Sequence, residues 1–344
     1  MNNTLIMSCR WLFPAFFILL FFIVLPVNAH VPLTAGDNND ITHALSVEKP
    51  TKSYVIYGHL HDAGEGGYFQ FSMKAGDRLT LSLMTPGSGA PVPDMIVMSP
   101  GTPRNIEDPS LPVTAPPGYT AELIKGQKPV IAEYEPFSPA AIFSVASYSK
   151  NITLPGTYYV AVISPADETQ YSIAVGYLEE FSLFEWVFIP VNVINTHLWE
   201  GQSILTILAP FLAVLILGFI LIARQKYDTG GKKSLLFWLA TIAGLCYLGG
   251  ASITLVQMVR ALMVTGLVTS VVLTLIFALI PVLLGMWALR IARLPSPHSQ
   301  KDRLFLGIIG LLGLVSWAGL IIGPVIAFLA AVLPERLQIP VPTR

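Results

Sequence analysis

The sequence predicts an antiparallel β-sandwich held outside the cytoplasm and followed by an all-α bundle of four transmembrane helices. Three observations lead there. Between His30 and Glu200 there are 8 Lys/Arg against 18 Asp/Glu, an acidic stretch that the overall net charge of −1 conceals. Within that stretch, short runs alternate apolar and polar residues between turn signals. Beyond it the chain becomes strongly apolar, with its basic residues confined to the ends of long apolar runs.

Residues 1–29 have the form of a secretory signal. Arg10 closes a short polar region, Trp11 to Val27 is an uninterrupted apolar run, and Val27-Asn28-Ala29 ends in the small residue that signal peptidase needs. An uncleaved anchor helix is the alternative, because the run is about as long as the shortest spans. Cleavage makes His30 the first residue of the mature chain. Cys9 precedes the apolar run, so it forms no lipoprotein attachment site, and Cys246 lies in an expected span. The exported part therefore has no disulfide, and its 171 residues are enough to bury a core without one.

The sandwich is expected over 30–178. Its strands are Ser53–Tyr57, Tyr68–Met73, Arg78–Met84, Ile142–Tyr148, Thr157–Ile163 and Tyr171–Tyr177. Period-two alternation puts Phe69, Phe71 and Met73 on one face of the second, and Leu79, Leu81 and Leu83 on one face of the third. Short connections such as Lys74-Ala75-Gly76-Asp77 suggest hairpins. The stretch 85–139 carries 12 prolines, which points to a long ordered excursion with strands only at edges.

These residues also resemble a known module. Gly66-Gly67-Tyr68-Phe69-Gln70-Phe71 with Ala75-Gly76-Asp77-Arg78-Leu79-Thr80-Leu81, then Leu154-Pro155-Gly156-Thr157-Tyr158-Tyr159-Val160-Ala161-Val162 with Tyr171-Ser172-Ile173, is similar to the bacterial pre-peptidase C-terminal domain. That resemblance covers about half of the exported region and implies a jelly-roll-like sandwich serving as an accessory or binding module. Its matching residues are strand and turn residues, so it implies a fold far more than a site.

Residues 179–202 link the two halves. Phe181, Phe184 and Phe188 share a helical face, with Glu185, His197 and Trp199 nearby, the pattern of an interfacial collar at the headgroup boundary. A plain linker with buried aromatics is the alternative.

The bundle, 203–333, is expected to have spans at 203–223, 234–259, 261–291 and 304–333. Pro281 and Gly323-Pro324 are the expected weak points of the helical ladder. With the sandwich outside, Arg224, Lys226, Lys232 and Lys233, and then Arg290, Arg293, Lys301 and Arg303, face the cytoplasm. An even number of spans places Arg260 and the tail, 334–344, on the outer side. No Asp, Glu, Lys or His lies within a span, which argues against an ion pump or a membrane cytochrome. Gly307, Gly310, Gly313, Gly319 and Gly323, with Gly249 and Gly250, allow close helix packing, either within the bundle or against a second membrane protein.

Five of the six histidines are extracytoplasmic: His30, His43, His59, His61 and His197. His59 and His61 project from one face of an extended segment about 7 Å apart, and an N-terminal His30 offers an amine beside its imidazole. Amine and imidazole donors suit Cu(II). The set resembles the histidine brace of copper monooxygenases, which implies His30, His59 and His61 as copper ligands and Asp62 as a residue that orients one of them. Asp37, Asp40, Asp62 and Glu65 are alternative oxygen donors for Ca²⁺, without the spacing of an EF-hand loop. The chain contains no G-x-S-x-G, H-E-x-x-H or phosphate-cradling glycine loop, and its acidic exterior does not suit nucleic acid. Two functions follow: a non-enzymatic, membrane-anchored binding or accessory protein in the plasma membrane, or a copper-binding protein that handles metal or oxidises a substrate.

Overall fold

The computed structural model describes residues 30–87, 89–101, 111–224, 232–335 and 338–340. The expected signal peptide, residues 102–110 of the proline-rich stretch and Lys226 lie outside the described residues.

The N-terminal half is a sandwich of two sheets. The first has the order β1 (Val31–Thr34), β3 (Tyr54–Leu60), β11 (Thr169–Val175), β5 (Arg78–Thr85), β9 (Ala140–Asn151), β8 (Glu133–Glu135). The second has the order β2 (Leu45–Val47), β4 (Gly66–Met73), β10 (Gly156–Ile163), β6 (Asp94–Pro100), β7 (Tyr119–Ile124). Both sheets are mixed rather than purely antiparallel, because β1 pairs with β3, and β2 with β4, in parallel. The chain alternates between sheets from β1 to β5, so strands adjacent in one sheet are joined through the other, and such crossovers permit parallel pairing. For the same reason Lys74–Asp77 is no hairpin: it carries the chain from β4 in one sheet to β5 in the other.

Alternation along the strands builds the core. Phe69, Phe71, Met73, Leu79, Leu81 and Leu83 are buried between the sheets with Ile56, Val160 and Ile173, each fully buried aliphatic or aromatic side chain contributing roughly 1.5–3 kcal/mol. The proline-rich stretch departs from expectation. Its strand β6 lies inside the second sheet, between β10 and β7, with Met95, Ile96, Val97 and Met98 all buried. Pro91, Pro93 and Pro100 stand at or outside its ends, so its interior keeps every ladder donor. Leu111, Val113 and Ala115 pack beside Ile96 and Met98 in a smaller second core.

Among the described residues three helices are long and apolar enough to cross a bilayer, not four: α2 (Ile204–Arg224), α3 (Leu235–Thr265) and α4 (Val271–Ala292). The fourth expected span is two shorter helices, α5 (Gln300–Val315) and α6 (Ile322–Val332), separated by a tight reversal. Trp317, Gly319, Leu320 and Ile321 there have φ of 56°, 72°, 55° and 66°. The helices run antiparallel: Gly310 faces the Phe328 ring, Gly307 lies beside Ala331, and the Arg303 guanidinium donates to the Leu333 carbonyl. Helices of 16 and 11 residues reach only about 24 and 16 Å, short of a hydrocarbon core of about 30 Å. The chain therefore returns to the end from which it came, the end opposite the sandwich.

The C-terminal tail follows this reversal. Strand β13 (Gln338–Pro340) pairs with β12 (Lys232–Ser234) in the connection between α2 and α3. His298 Nδ1 lies 2.7 Å from Glu335 Oε1, and the His298 amide donates to Glu335 Oε2 at 2.9 Å. The tail and the basic connections thus share one end of the bundle, whereas four spans would have separated them.

Helix α3 is the central post, packed against α2, α4 and α6. Its Tyr247 fits against Gly313 and Gly319 and donates to the Ile309 carbonyl at 3.0 Å, while Gly250 meets Gly319 backbone to backbone and Gly249 meets Phe211. The glycines considered as a docking face are thus taken up within the chain.

Candidate functional site

The sandwich meets the bundle through α1 (Leu183–Trp199), the helix of the expected collar. Ser182 and Glu185 form a reciprocal capping box at its start. The outer face of the first sheet carries Val55, Tyr57 and His59 from β3, opposite the core residues Ile56 and Leu60. Lys52 Nζ donates to both Glu185 oxygens at 2.9 and 3.0 Å, Tyr57 Oη lies 3.0 Å from Thr196 Oγ1, and Trp199 Nε1 donates to the Tyr171 carbonyl at 3.1 Å. Burial alone would raise the Glu185 carboxyl; the Lys52 and Ser182 hydrogen bonds outweigh it and hold it below its usual range. From Lys52 to Tyr57 is about 16 Å of strand, and from Glu185 to Thr196 about 16 Å of helix, so α1 runs alongside β3 in step with it.

After Trp199 the chain leaves for α2, and the same sheet face becomes uncovered at His59 and His61. Their side chains are 38% and 65% exposed. Glu168, 70% exposed, joins them from the turn between β10 and β11. His59 Nε2 lies 2.8 Å from Glu168 Oε2, His61 Nδ1 lies 4.0 Å from Glu168 Oε1, and the imidazole centroids are 4.4 Å apart. All three donor atoms fall within 4.8 Å of one another, and no other group of three metal-ligating side chains does so among the described residues.

Sheet register explains the convergence. Thr169 pairs with Leu60 and Gln170 with His59, so Glu168, whose amide donates to the His61 carbonyl at 3.1 Å, lies opposite His61. The turn is held by Thr169 Oγ1 donating to the Ala166 carbonyl at 2.9 Å and by Asp167 Oδ1 accepting from the Ala63 amide at 2.9 Å. Glu65 accepts from the His61 and Asp62 amides and orders the loop after β3. Glu168 itself sits at φ 52°, the left-handed region that a glutamate occupies only under constraint.

The other expected residues go elsewhere. His30 bonds Ser53 Oγ, and Val31 pairs with Tyr54, so His30 stands six residues before His59 along β3, about 20 Å away. Burial lowers its imidazole pKa. The structure thus brings His59 and His61 together but not His30, because β1 runs beside the opposite end of β3. His43 pairs with Asp40 at 2.7 Å in a 3₁₀ turn, and the buried His197 pairs with Glu200 at 2.7 Å at the end of α1. Asp37, Asp40, Asp62 and Glu65 form no cluster: Asp40 caps the 3₁₀ turn and Glu65 caps the loop. The carboxylate beside the histidine pair comes from Glu168, not Asp62. Glu168 lies 107 residues beyond His61, and only strand register joins them. Compared with known proteins, the chain matches no family model and none of the curated proteins.

Proposed function

We propose that this chain is a multi-pass plasma-membrane protein whose sandwich lies outside the cytoplasm and serves as a binding or accessory module rather than an enzyme. The observation that carries the reading is the docking of the sandwich onto the helices. The Lys52–Glu185, Tyr57–Thr196 and Trp199–Tyr171 contacts fix α1 to the first sheet, while Tyr134 and Pro136 bond Thr274 in α4. A domain held this way presents its uncovered rim, with His59, His61 and Glu168, at a set position over the membrane. The resemblance of its strands and turns to pre-peptidase C-terminal domains fits the same role.

Two features support the orientation and setting. Arg224, Lys233, Arg290, Arg293, Lys301 and Arg303 all belong to the bundle end opposite the sandwich, as the positive-inside rule requires of a cytoplasmic face. Phe184, Phe188, Val191 and Leu198 form an exposed apolar stripe on α1, continuous in chain with the exposed Leu205, Leu212 and Ile216 of α2, and suited to the headgroup boundary. A test is labelling of single cysteines in intact cells with a membrane-impermeant thiol reagent. Asn151→Cys on the sandwich should react, and Lys301→Cys only after permeabilisation; the reverse result would invert the protein. The copper-oxidase alternative needs His30 beside the histidine pair, and the distance along β3 speaks against it.

A further inference from the structure

We propose that His59, His61 and Glu168 form a three-ligand site for a single borderline divalent transition-metal ion, Zn²⁺ or Cu²⁺, open to solvent at its remaining positions. This rests on the binding-module reading and names its ligand. Two imidazoles and one carboxylate, with no thiolate, are the donor set that such ions prefer over Ca²⁺, which takes six to eight oxygens. Donor atoms within 4.8 Å of one another can close on an ion at about 2.0–2.2 Å from each with side-chain rotation alone. The site is exposed enough for a hydrated ion to enter.

Glu168 supplies the independent reason. Its left-handed backbone is unfavourable for a glutamate, and Gly, Asn or Asp occupies the comparable position in many turns. An exposed contact between one carboxylate and one imidazole recovers too little to offset that. A carboxylate that completes a metal site gives the conformation a use, and such strain collects where function requires it. The three positions are also held by backbone: His59 lies in β3, the His61 amide donates to Glu65, and the Glu168 amide donates to the His61 carbonyl.

The test uses the full chain in detergent, stripped of metal and titrated calorimetrically with Zn²⁺ and, separately, with Cu²⁺ under electron paramagnetic resonance. One ion per chain should bind, and the Cu²⁺ spectrum should show coupling to imidazole nitrogen. His59→Ala, His61→Ala and Glu168→Gln should each weaken binding at least tenfold, while His30→Ala and His43→Ala leave it unchanged. Glu168→Gly separates site from fold: it relieves the backbone, so the thermal midpoint without metal should hold or rise while the rise on adding Zn²⁺ disappears. Undiminished binding in the His59→Ala/His61→Ala double variant, loss of binding in His30→Ala, or a wild-type response in Glu168→Gly would each overturn the site. Failure here with cysteine labelling as expected removes the metal and keeps the membrane reading; inverted labelling with intact metal binding does the opposite.

Discussion

Two apolar segments that each contain a proline meet opposite fates in this bundle. Helix α4 runs unbroken from Val271 to Ala292 with Pro281 buried in its middle, whereas Leu304–Leu333 reverses at Trp317–Ile321, before its own proline at Pro324 is reached. Proline is therefore not what divides a long apolar run here. In a packed bundle, neighbouring helices and local adjustment accommodate a proline's missing donor. The reversal depends instead on close backbone approach: Gly319, at φ 72°, nests against Gly250 and under Tyr247, where a Cβ would be left-handed and tightly packed. Pro324, in the first turn of α6, then costs nothing, because the amide it lacks would have had no helical partner.

The two fates differ most in topology. Three crossings put the tail on the side of Lys301; four put it on the side of the sandwich. Gln338→Cys should therefore behave like Lys301→Cys toward an impermeant reagent, silent in intact cells and reactive after permeabilisation. Labelling of Gln338→Cys from outside, together with Asn151→Cys, would restore the fourth span.

A smaller but graded effect tests the reversal itself. Gly319 has φ 72°, and a Cβ there would lie 3.0 Å from Tyr247 Cδ1. Gly319→Val combines a left-handed penalty of about 1–2 kcal/mol with overpacking of about 1–3 kcal/mol, so a loss of about 3 kcal/mol is expected in thermal melts in detergent. Pro281→Ala should shift stability by less than about 1 kcal/mol. Equal effects would mean that the two segments are not distinguished by backbone approach.

The segments meet again beneath the sandwich, where Phe277 of α4 packs on Trp317 of the reversal and on Phe137 just after β8. Glu135 lies at this junction, and burial pushes its carboxyl from 4.5 up to about 7. A raised carboxyl pKa means that the folded protein prefers the neutral acid. Stability is then highest below the unfolded pKa and falls as pH rises from about 4.5 to about 7. Glu135→Gln should flatten that slope and raise stability above pH 7 by up to about 3 kcal/mol, at roughly 1.4 kcal/mol per pKa unit. A variant that keeps the slope would place the titration on another group.

Much of the sandwich could be read from the chain because strand alternation is a local signal: Phe69, Phe71 and Met73 face inward because of their spacing alone. Strand β6 was hidden by composition, since prolines that flank a strand count against it as heavily as prolines within it. The fourth span was hidden because an apolar hairpin and an apolar span have the same hydropathy, and Trp317 to Ile321 contains no residue that demands a reversal by itself. In the candidate site, the His59–His61 spacing was visible, but Glu168 depends on β11 lying beside β3, and His30 is kept away by the parallel β1–β3 pairing. Neither pairing leaves a mark on the local sequence.

The smallest effect concerns one polar contact between the sandwich and α4. Thr274 is buried in the first turn of α4 and donates its hydroxyl hydrogen to the Pro136 carbonyl at 2.8 Å, because a carbonyl can only accept. The 2.7 Å contact with Tyr134 must then run from the tyrosine hydroxyl to Thr274 Oγ1. Thr274→Val keeps the shape but strands both partners at a buried junction, a loss of about 1–2 kcal/mol. Thr274→Ser, which keeps the hydroxyl, should recover most of it, and Tyr134→Phe added to Thr274→Val should cost less than the two single losses combined. Additive losses in that cycle, measured by thermal melts, would show that the hydroxyls act separately and that the chain Tyr134–Thr274–Pro136 does not couple sandwich to bundle.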